Sequence, residues 1–375
     1  MLEFLTLKPD SFGLDITDTS LKIANLKRKG KFLKLTSYLK EEIKPGIIEE
    51  GEVKDEESLI KVIKESIKKV KGEKLRTNYV MASLPEEKAF LEVIQMPILG
   101  EKELEEAVYF EAENYIPLPI NEAYLDFQTV QPVADHLDHA DILIAALPQK
   151  TVDPYVTALA KAGLQPKVLE IESLAICRAV IKNEISPHPL LLIDLGANRT
   201  GFMIFSGYSL RFTSVLPISA RQFTQIISQT LKISFQEAEE LKLKYGLEKR
   251  YKIKIQDGTE KEIEPGKIFE ILLPGLDNLV SQIKKYLDYY HTHITHEHLP
   301  LDGRGIKKIL LCGGGANLKG ITEFLSIQLR IPVELANPWI NILETPFEEL
   351  PRLSFEKSLE YTTALGLALR GIKEK

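Results

Sequence analysis

The sequence predicts an α/β protein of two similar lobes, with a small α+β subdomain inserted into the first lobe. Strand-like apolar runs alternate with amphipathic helix-like stretches along most of the chain. A unit of three strands followed by a helix occurs twice, beginning near Phe12 and near Leu190. The 375 residues also exceed the length of about 250–300 residues at which a single core stops growing, so more than one unit is expected.

The two copies of this unit match segment by segment. The first copy has the runs FGLDI (12–16), LKIANLK (21–27) and FLKLTSYLKEEI (32–43), with a helix over 58–70. The second has LLLIDLG (190–196), GFMIFS (201–206) and SLRFTSVLPI (209–218), with a helix over 219–232. Asp15 and Asp194 end the first strand of each copy, which predicts two equivalent lobes rather than a solenoid of short repeats.

The remaining segments interrupt the two lobes. Residues 76–168 contain four strand-like runs and two helix-like runs, and are predicted to form the inserted α+β subdomain; its acidic helix over 101–116 ends at Pro117 and Pro119. Residues 236–304 form a second insertion, with Gly246 as a helix cap and an Asp257-Gly258 hairpin turn. The first lobe is then expected over 11–75 and 169–189, and the second over 190–235 and 305–375.

Composition excludes several classes of protein. The net charge of −6 argues against a generic nucleic-acid or anionic-membrane binder, which would carry a basic surplus. Two cysteines far apart give neither a disulfide framework nor a CxxC metal site. The N-terminus does not have the pattern of a signal peptide, and no apolar run is long enough to cross a bilayer. We therefore expect a cytoplasmic protein.

Three loops carry the residues suited to chemistry: 15–22, 194–200 and 312–318. Asp15 and Asp194 follow apolar strands, where a carboxylate needs a cation or hydrogen-bond donors to stay charged. Glycine and small hydroxyl residues after them allow backbone amides to approach phosphate. We predict that the two loops face each other across a polyphosphate, that the aspartates hold Mg²⁺ mostly through water, and that a purine lies on the bare backbone of 313–315.

The order of these loops resembles the nucleotide fold of actin, Hsp70 and the sugar kinases, a duplicated ribonuclease H-like ATPase fold. More specifically, the chain is similar over nearly its whole length to the type IV pilus assembly protein PilM family, which is related to the division protein FtsA. The most specific segments are 80–130, which includes ENYIPLP (113–119), and EYTTALGLALRG (360–371).

The resemblance implies a set of nucleotide-site residues. The first phosphate loop would use Ser20 and Lys22 with Asp15, and the second would use Gly196, Asn198 and Thr200 with Asp194. The adenosine would lie against Glu239, Lys242, Gly313, Gly314 and Gly315, and Glu172 would orient the attacking water. Thr17 departs from the glycine usual in the family, which restricts the backbone at the first loop.

Simpler interpretations of some of these residues remain open. Glu172 also suits the cap of a helix that starts near Ser173, and Glu239 and Lys242 also have the spacing of an i,i+3 surface pair. The cluster of His291, His293, His296 and His298 is compatible with a transition metal, but a solvated helix end is the favoured interpretation.

The resemblance also implies a function. It indicates an ATP-binding scaffold, at most a slow ATPase, in the inner-membrane platform that assembles type IV pili. The partner would be the cytoplasmic N-terminal tail of the membrane protein PilN, which would bind near Tyr115, Ile116, Pro117 and Leu118. Contact with the membrane would occur only through this partner. Other pilus platform and motor proteins, and further copies of the chain, are additional expected partners, and nucleic acid is not.

Two alternatives come from other functional classes. A small-molecule kinase of the same fold would need a cleft for an acceptor and a base near the terminal phosphate. A membrane-associated filament protein similar to FtsA would need an amphipathic anchor, whereas the C-terminal segment ALGLALRGIKEK lacks aromatic residues.

Overall fold

The structure is a computed structural model, and it describes residues 9–30, 32–131, 138–247, 253–254, 260–261, 266–293, 299, 305–343 and 352–373. Single turns of 3₁₀ helix occur at Glu86–Lys88, Ile120–Glu122, Lys182–Glu184, Gly314–Asn317 and Leu359–Tyr361. No helix in the described ranges combines the length and the apolar composition needed to cross a bilayer.

The strands are, in chain order, β1 (Phe12–Ile16), β2 (Ser20–Lys29), β3 (Phe32–Glu42), β4 (Ile48–Glu49), β5 (Glu52–Val53), β6 (Lys71–Gly72), β7 (Tyr79–Leu84), β8 (Phe90–Pro97), β9 (Ala123–Val130), β10 (His139–Pro148), β11 (Gln165–Ile171), β12 (Ser186–Leu195), β13 (Thr200–Gly207), β14 (Ser209–Leu216), β15 (Ile253–Lys254), β16 (Glu260–Lys261), β17 (Lys308–Cys312) and β18 (Val333–Leu335). The helices are α1 (Glu56–Lys69), α2 (Glu101–Ala112), α3 (Gln149–Lys161), α4 (Glu172–Val180), α5 (Ala220–Leu231), α6 (Phe235–Tyr245), α7 (Lys267–His293), α8 (Ile321–Leu329), α9 (Phe355–Ser358) and α10 (Thr362–Lys373).

Two mixed sheets with the same internal order form the two lobes. The first has the order β11-β7-β1-β2-β3-β6, and the second has β14-β13-β12-β17-β18. In each sheet three consecutive antiparallel strands are followed by two parallel ones, so that β12 in the second lobe corresponds to β1 in the first. The predicted duplicated α/β architecture is confirmed.

Local sequence signals explain several helix boundaries. The Asp55 side chain accepts the Ser58 amide at the start of α1, and Ser219 forms a reciprocal capping box with Gln222 at the start of α5. In α2 the helical hydrogen bonds stop near Ala112, and the chain then turns into Pro117, which has no amide hydrogen to donate. These helices therefore begin and end close to the predicted positions.

The inserted subdomain is smaller than the predicted span of 76–168. Strands β7 and β11 pair in the first-lobe sheet, and α3 packs against the core of that lobe. What stands apart is the antiparallel sheet β8-β10-β9 with α2, which share a core that includes Ile94, Val108, Ile142 and Ile144. We call residues 90–148 the insert. The predicted boundaries were too wide because the sequence of a parallel strand such as β7 does not indicate which sheet the strand joins.

The insert also contacts the second lobe. Asp141 on β10 accepts a hydrogen bond of 2.5 Å from Arg211 Nη1 on β14, and both side chains are buried. Breaking a buried ion pair by removing one partner leaves an uncompensated charge, which costs about 3–5 kcal/mol. The pair therefore fixes how the insert lies against the second lobe.

Helix α10 also differs from its predicted place in the second lobe at 305–375. It packs against β1, β2 and β7 of the first lobe and against α4, the helix that connects the two lobes. Glycine permits this close packing, because a Cβ at Gly13 would overlap the carbonyl oxygen of Ala364, and one at Gly366 would overlap that of Ala175. The segment EYTTALGLALRG therefore packs closely against the first sheet.

The Asp257-Gly258 turn and two residues of the histidine cluster, His296 and His298, lie outside the described residues. The strands on either side of that turn, β15 and β16, pair antiparallel. His291 and His293 lie exposed at the end of α7, and the described residues contain no group of three or more side chains suited to hold a metal ion.

Replacing Gly366 by alanine tests the packing of α10. Although alanine is the better helix former, the added methyl group would collide with the backbone of α4, so we expect Gly366→Ala to lower the free energy of unfolding by about 1–3 kcal/mol. Gly100→Ala is the matched control, because its Cβ would meet only Glu103 Oε2 at 3.7 Å. Urea denaturation measures both, and an unchanged stability of Gly366→Ala would contradict close packing of α10 on α4.

Candidate functional site

Asp15 is the buried carboxylate of the first lobe. It lies on β1 with 1% of its surface exposed, accepts a hydrogen bond of 2.8 Å from Lys22 Nζ on β2, and accepts one of 3.2 Å from Ser83 Oγ on β7. The pair with Lys22 follows from the register, because Asp15 lies directly opposite Lys22 in the antiparallel ladder. Burial disfavours the charged amine, yet the charges of Asp15 and Asp194 outweigh it and raise the pKa of Lys22.

The turn after Asp15 is closed by Thr17, the residue that departs from the family pattern. Its amide donates to the Ser20 carbonyl at 2.9 Å, and its hydroxyl accepts from the Ser20 amide at 3.2 Å. Asp18 in the same turn accepts the amides of Glu50 and Gly51. Ser20 is buried, with its hydroxyl 3.3 Å from that of Thr17. The first loop is therefore held by its own side chains.

Asp194 occupies the equivalent place at the end of β12. Among the described residues the side-chain carboxylate of Asp194 has one hydrogen-bond contact, the Cys312 thiol at 3.9 Å from Oδ1, so it keeps most of its capacity to bind a ligand. Burial raises the pKa of Asp194; Lys22 opposes this increase and the charge of Asp15 adds to it. Burial likewise raises the pKa of the Cys312 thiol, as expected for a structural cysteine.

The two aspartates share one electrostatic environment, although they belong to different sheets. Lys22 interacts with both carboxylates, and the charge of each aspartate raises the pKa of Glu172. A small cavity beside Asp194 is lined by Glu172, Asp194 and Arg199 among other residues, most of them in the second lobe and α4. The structure thus places Asp15 and Asp194 close enough for their charges to interact.

Arg199 is the cleft residue that the sequence analysis missed. It lies in the second loop and donates to Glu87 Oε1 at 2.6 Å and to both oxygens of Glu172, at 3.2 and 3.3 Å. Asp18 lies 3.7 Å from the same guanidinium. A basic residue between Asp194 and Thr200 was visible in the sequence, but its three acidic partners are distant along the chain and carry no local signal.

Glu172 begins α4, which connects the lobes, as the sequence predicted. It is 8% exposed, and burial raises its pKa to about 8; Arg199 opposes the shift, while Asp15, Glu87 and Asp194 contribute to it. The alternative role as a helix cap has no support in the geometry, because α4 has no hydrogen bond from a capping side chain. The Ser173 amide is instead accepted by Glu86 Oε2 at 3.0 Å.

The three glycines of the third loop have different roles. A Cβ at Gly313 would overlap Asp194 Oδ1, and one at Gly315 would lie 2.8 Å from the carbonyl oxygen of Leu195. Gly314 is exposed, and its Cβ would meet only Glu360 Cβ at 3.9 Å. Gly313 and Gly315 therefore allow this loop to pack on the second loop, and Gly314 leaves bare backbone facing open space.

Other predicted residues of the second lobe use their side chains internally. The Thr200 hydroxyl donates to the Ile218 carbonyl at 2.6 Å, and Gly196 accepts the Ala220 amide through its backbone. Asn198 is exposed. Their predicted contribution to phosphate binding would therefore come chiefly from the backbone of the loop.

The predicted adenosine residues on α6 form a network with α5. Lys242 is buried and donates to the Ala220 carbonyl at 2.9 Å and to Thr224 Oγ1 at 2.7 Å. Its pKa is lowered, since burial outweighs the pair with Glu239 at 2.8 Å. Glu239 also accepts from Thr224. Glu239 and Lys242 are therefore not only an i,i+3 pair on the surface of α6, because their contacts join α6 to α5.

The predicted partner residues at the end of α2 divide into two groups. Tyr115 is 43% exposed and Pro117 is also exposed. Ile116 is only 5% exposed and belongs to the core of the insert, and Leu118 packs against that core. Of these four residues, only Tyr115 and Pro117 are therefore exposed to solvent, whereas Ile116 and Leu118 pack in the insert.

The site suits a magnesium–nucleotide complex in its donor set. Mg²⁺ prefers oxygen ligands and usually takes one or two carboxylates together with water and substrate phosphates. Asp194 offers a carboxylate with free capacity, and Asp15 offers one that Lys22 already neutralises. Of the two carboxylates, Asp194 is therefore the one better fitted to hold Mg²⁺.

The pKa of Glu172 gives a pH dependence to the stability of the nucleotide-free protein. Its carboxyl keeps a proton in the folded state up to about pH 8, whereas the unfolded chain loses it near about pH 4.3. Because the folded state then binds more protons, stability falls as pH rises through this window. We expect Glu172→Gln to reduce the fall in melting temperature between pH 6 and pH 8.5 by at least about 2–4 °C.

Thermal melts at the two pH values, without nucleotide, measure this effect. Glu65→Gln is the control, because Glu65 is exposed on α1. A Glu172→Gln protein with the pH dependence of the wild type would contradict a raised pKa for Glu172.

Comparison with solved structures agrees with the fold. The structure titled "PilM-PilN type IV pilus biogenesis complex" has a TM-score of 0.75 and 28% identity, over 98% of this chain and 99% of that chain. MreB5 of Spiroplasma citri bound to AMPPNP has a TM-score of 0.56 and 14% identity, over 98% of both chains, and shows likeness of fold alone. The chain therefore has the actin-like fold.

Comparison with the sequences of curated proteins finds relatives in the FtsA family. The cell division protein FtsA of Pseudomonas aeruginosa is 24% identical over 229 residues, which cover 57% of this chain and 50% of FtsA. FtsA of Streptococcus pneumoniae is 28% identical over 186 residues, covering 48% and 38%. The chain thus spans about half the length, or less, of these curated relatives. The model of the family described as type IV pilus assembly protein PilM matches residues 13–372, so this chain belongs to the PilM family of the actin-like ATPase superfamily.

Proposed function

We propose that this chain is a cytoplasmic ATP-binding scaffold of a type IV pilus assembly platform, at the inner membrane through its partner. It would bind the cytoplasmic N-terminal tail of PilN with an affinity that depends on nucleotide. The observation that carries the proposal is the pair of strand-end carboxylates, Asp15 and Asp194, which lie on equivalent strands of two lobes and interact electrostatically. Family membership supplies the biological setting.

In this function the chain's own residues bind and orient rather than react. Asp194 would hold Mg²⁺, and Lys22 and the backbone of the two loops would bind the phosphates. Bound ATP and Mg²⁺ would supply the charges that join the two lobes. Since each loop is rigidly tied to its own sheet, as Thr17 and Thr200 illustrate, nucleotide binding would fix the angle between the sheets.

Hydrolysis, if present, would be slow. Glu172 is the candidate to orient water, but Arg199 occupies both of its oxygens, and its raised pKa leaves much of the carboxyl protonated at neutral pH. A protonated carboxyl is a poor acceptor for the proton of an attacking water. We therefore expect the protein to remain in its nucleotide-bound state for long periods, as suits a scaffold.

The insert is the proposed binding surface for PilN. It carries large apolar side chains that are well exposed, such as Ile98 at 70% and Phe110 at 74%, together with Tyr115 and Pro117. A contiguous patch of such exposed apolar side chains would mark a protein interaction site, which is what we propose for this surface. Similarity to the PilM of a PilM–PilN complex, along almost the whole chain, supports this partner.

The contacts of the insert would connect the partner surface to the nucleotide. Its first strand follows the turn that carries Glu87, which binds Arg199 of the second lobe. Its strand β10 is bound to the second lobe through Asp141 and Arg211. A change of angle between the lobes would therefore shift the insert. Binding of other platform proteins and self-association remain hypotheses, as do the kinase and filament functions.

The role of Asp194 can be tested by calorimetric titration with ATP and Mg²⁺. Asp194→Asn removes the charge while it keeps the shape of the side chain, and we expect the affinity for Mg²⁺–ATP to fall about 10- to 100-fold, as it does when a metal-site contact is lost. The affinity for ATP without Mg²⁺ should change much less. Asp277→Asn, at an exposed position on α7, is the control. Unchanged affinity in Asp194→Asn would show that the second loop does not hold the metal ion.

The partner surface can be tested with a synthetic peptide of the PilN N-terminal tail from the same organism. We expect Pro117→Asp with Pro119→Asp to abolish peptide binding and to leave Mg²⁺–ATP affinity unchanged, because these prolines lie outside the cleft. Tyr115→Asp, a single change at an exposed position, should weaken the peptide with less risk to folding. Simultaneous loss of peptide and nucleotide binding would show that the prolines are structural, and full peptide binding by all variants would exclude this surface.

A further inference from the structure

Arg199 lies at the junction of three separate parts of the chain. Its guanidinium contacts Asp18 in the first loop, Glu87 in the turn before the insert, and Glu172 at the start of α4. The side chain is 18% exposed, so these contacts are only weakly screened by water. Burial disfavours its charge, yet the surrounding carboxylates outweigh that effect and raise its pKa. Arg199 is therefore a permanent cation in contact with three acidic side chains.

The two ends of the guanidinium are held unequally. Nη1 donates to Glu87 Oε1 at 2.6 Å, which is a short charge-assisted bond. Nη2 is 3.2 and 3.3 Å from the oxygens of Glu172, longer than the usual range for such bonds, about 2.7–2.9 Å. Nη2 is thus the end that can exchange its partner at lower cost.

Arg199 also lies beside the carboxylate that is proposed to hold Mg²⁺. Arg199, Glu172 and Asp194 line the same cavity. The planar fork of arginine matches the oxygens of a phosphate group better than the single ammonium of a lysine does. A second buried cation of the cleft, Lys22, is already paired with Asp15 at 2.8 Å. An additional anion in the cavity would therefore find its best available donor in Nη2 of Arg199.

We propose that Arg199 makes the site selective for ATP over ADP, by turning Nη2 from Glu172 to the terminal phosphate while Nη1 stays on Glu87. This inference rests on the proposed nucleotide site. The exchange frees the Glu172 carboxylate and links the terminal phosphate directly to the turn that precedes the insert. Arg199 is then the residue through which the insert responds to the triphosphate, and a diphosphate leaves the contact with Glu172 in place.

The test compares the affinities of Mg²⁺–ATP and Mg²⁺–ADP by calorimetry in the full chain. We expect the wild type to bind ATP about tenfold or more tightly than ADP, which is the effect of one hydrogen bond to a charged group. In Arg199→Gln the two affinities should differ by less than about twofold. Arg28→Gln, at an exposed position on β2, is the control and should keep the preference of the wild type. A preference for ATP retained by Arg199→Gln would overturn the inference.

Hydrogen exchange gives a second measurement that does not depend on affinity or turnover. With ATP in place of ADP, we expect the wild type to show altered exchange in residues 85–90 and 171–176, and Arg199→Gln to show no difference between the two nucleotides. Should Arg199→Gln fail to fold, Arg199→Lys replaces it; its single ammonium cannot bind Glu87 and phosphate as a fork does, so its preference for ATP should also fall. An undiminished preference in Arg199→Lys would overturn the inference.

The outcomes separate this inference from the proposed function. A wild type that binds neither nucleotide would refute both. A wild type that binds ATP and ADP equally well would refute the role of Arg199 and leave the nucleotide site intact.

Discussion

The structure depends on two carboxylates that lie at equivalent strand ends of the two lobes and interact with each other, Asp15 buried and Asp194 half-buried. An ionised carboxylate in an apolar setting is costly unless a cation or hydrogen-bond donors compensate for it. In the first lobe Lys22 compensates for that cost through a 2.8 Å ion pair, whereas in the second lobe Asp194 has only the weak Cys312 contact among the described residues. This asymmetry leaves one side of the cleft satisfied and the other ready to bind a cation.

The cleft is connected to the insert by a small number of charged contacts. Arg199 joins the second loop to Glu87 at the base of the insert, and Arg211 joins the second lobe to Asp141 within it. Both are buried or nearly buried ion pairs, which are directional and costly to break. In contrast, α10 holds the first lobe together through close glycine packing around Gly366. The first lobe is therefore closely packed around α10, and the contacts between the second lobe and the insert are charged pairs.

Local sequence patterns were sufficient for the strand-end aspartates and the duplicated strands, and the resemblance to the family supplied the position of Glu172. They failed where a residue's partner lies far away in sequence. Helix α5 and the turn before it supply the hydrogen-bond partners of the Thr200 hydroxyl and of the buried Lys242 ammonium. Arg199 is held by three acidic side chains that are distant in the sequence. The docking of α10 on the first lobe was missed for the same reason, because a glycine pattern does not specify which surface it approaches.

A double-mutant cycle tests most directly whether both lobes act on one bound nucleotide. The affinity for Mg²⁺–ATP would be measured for the wild type, Asp15→Asn, Asp194→Asn and the double variant. If the two carboxylates face the same magnesium–phosphate complex, their effects should be coupled by about 0.5 kcal/mol or more. Additive effects would mean that the aspartates act on separate sites, and would contradict a single nucleotide bound between the two lobes.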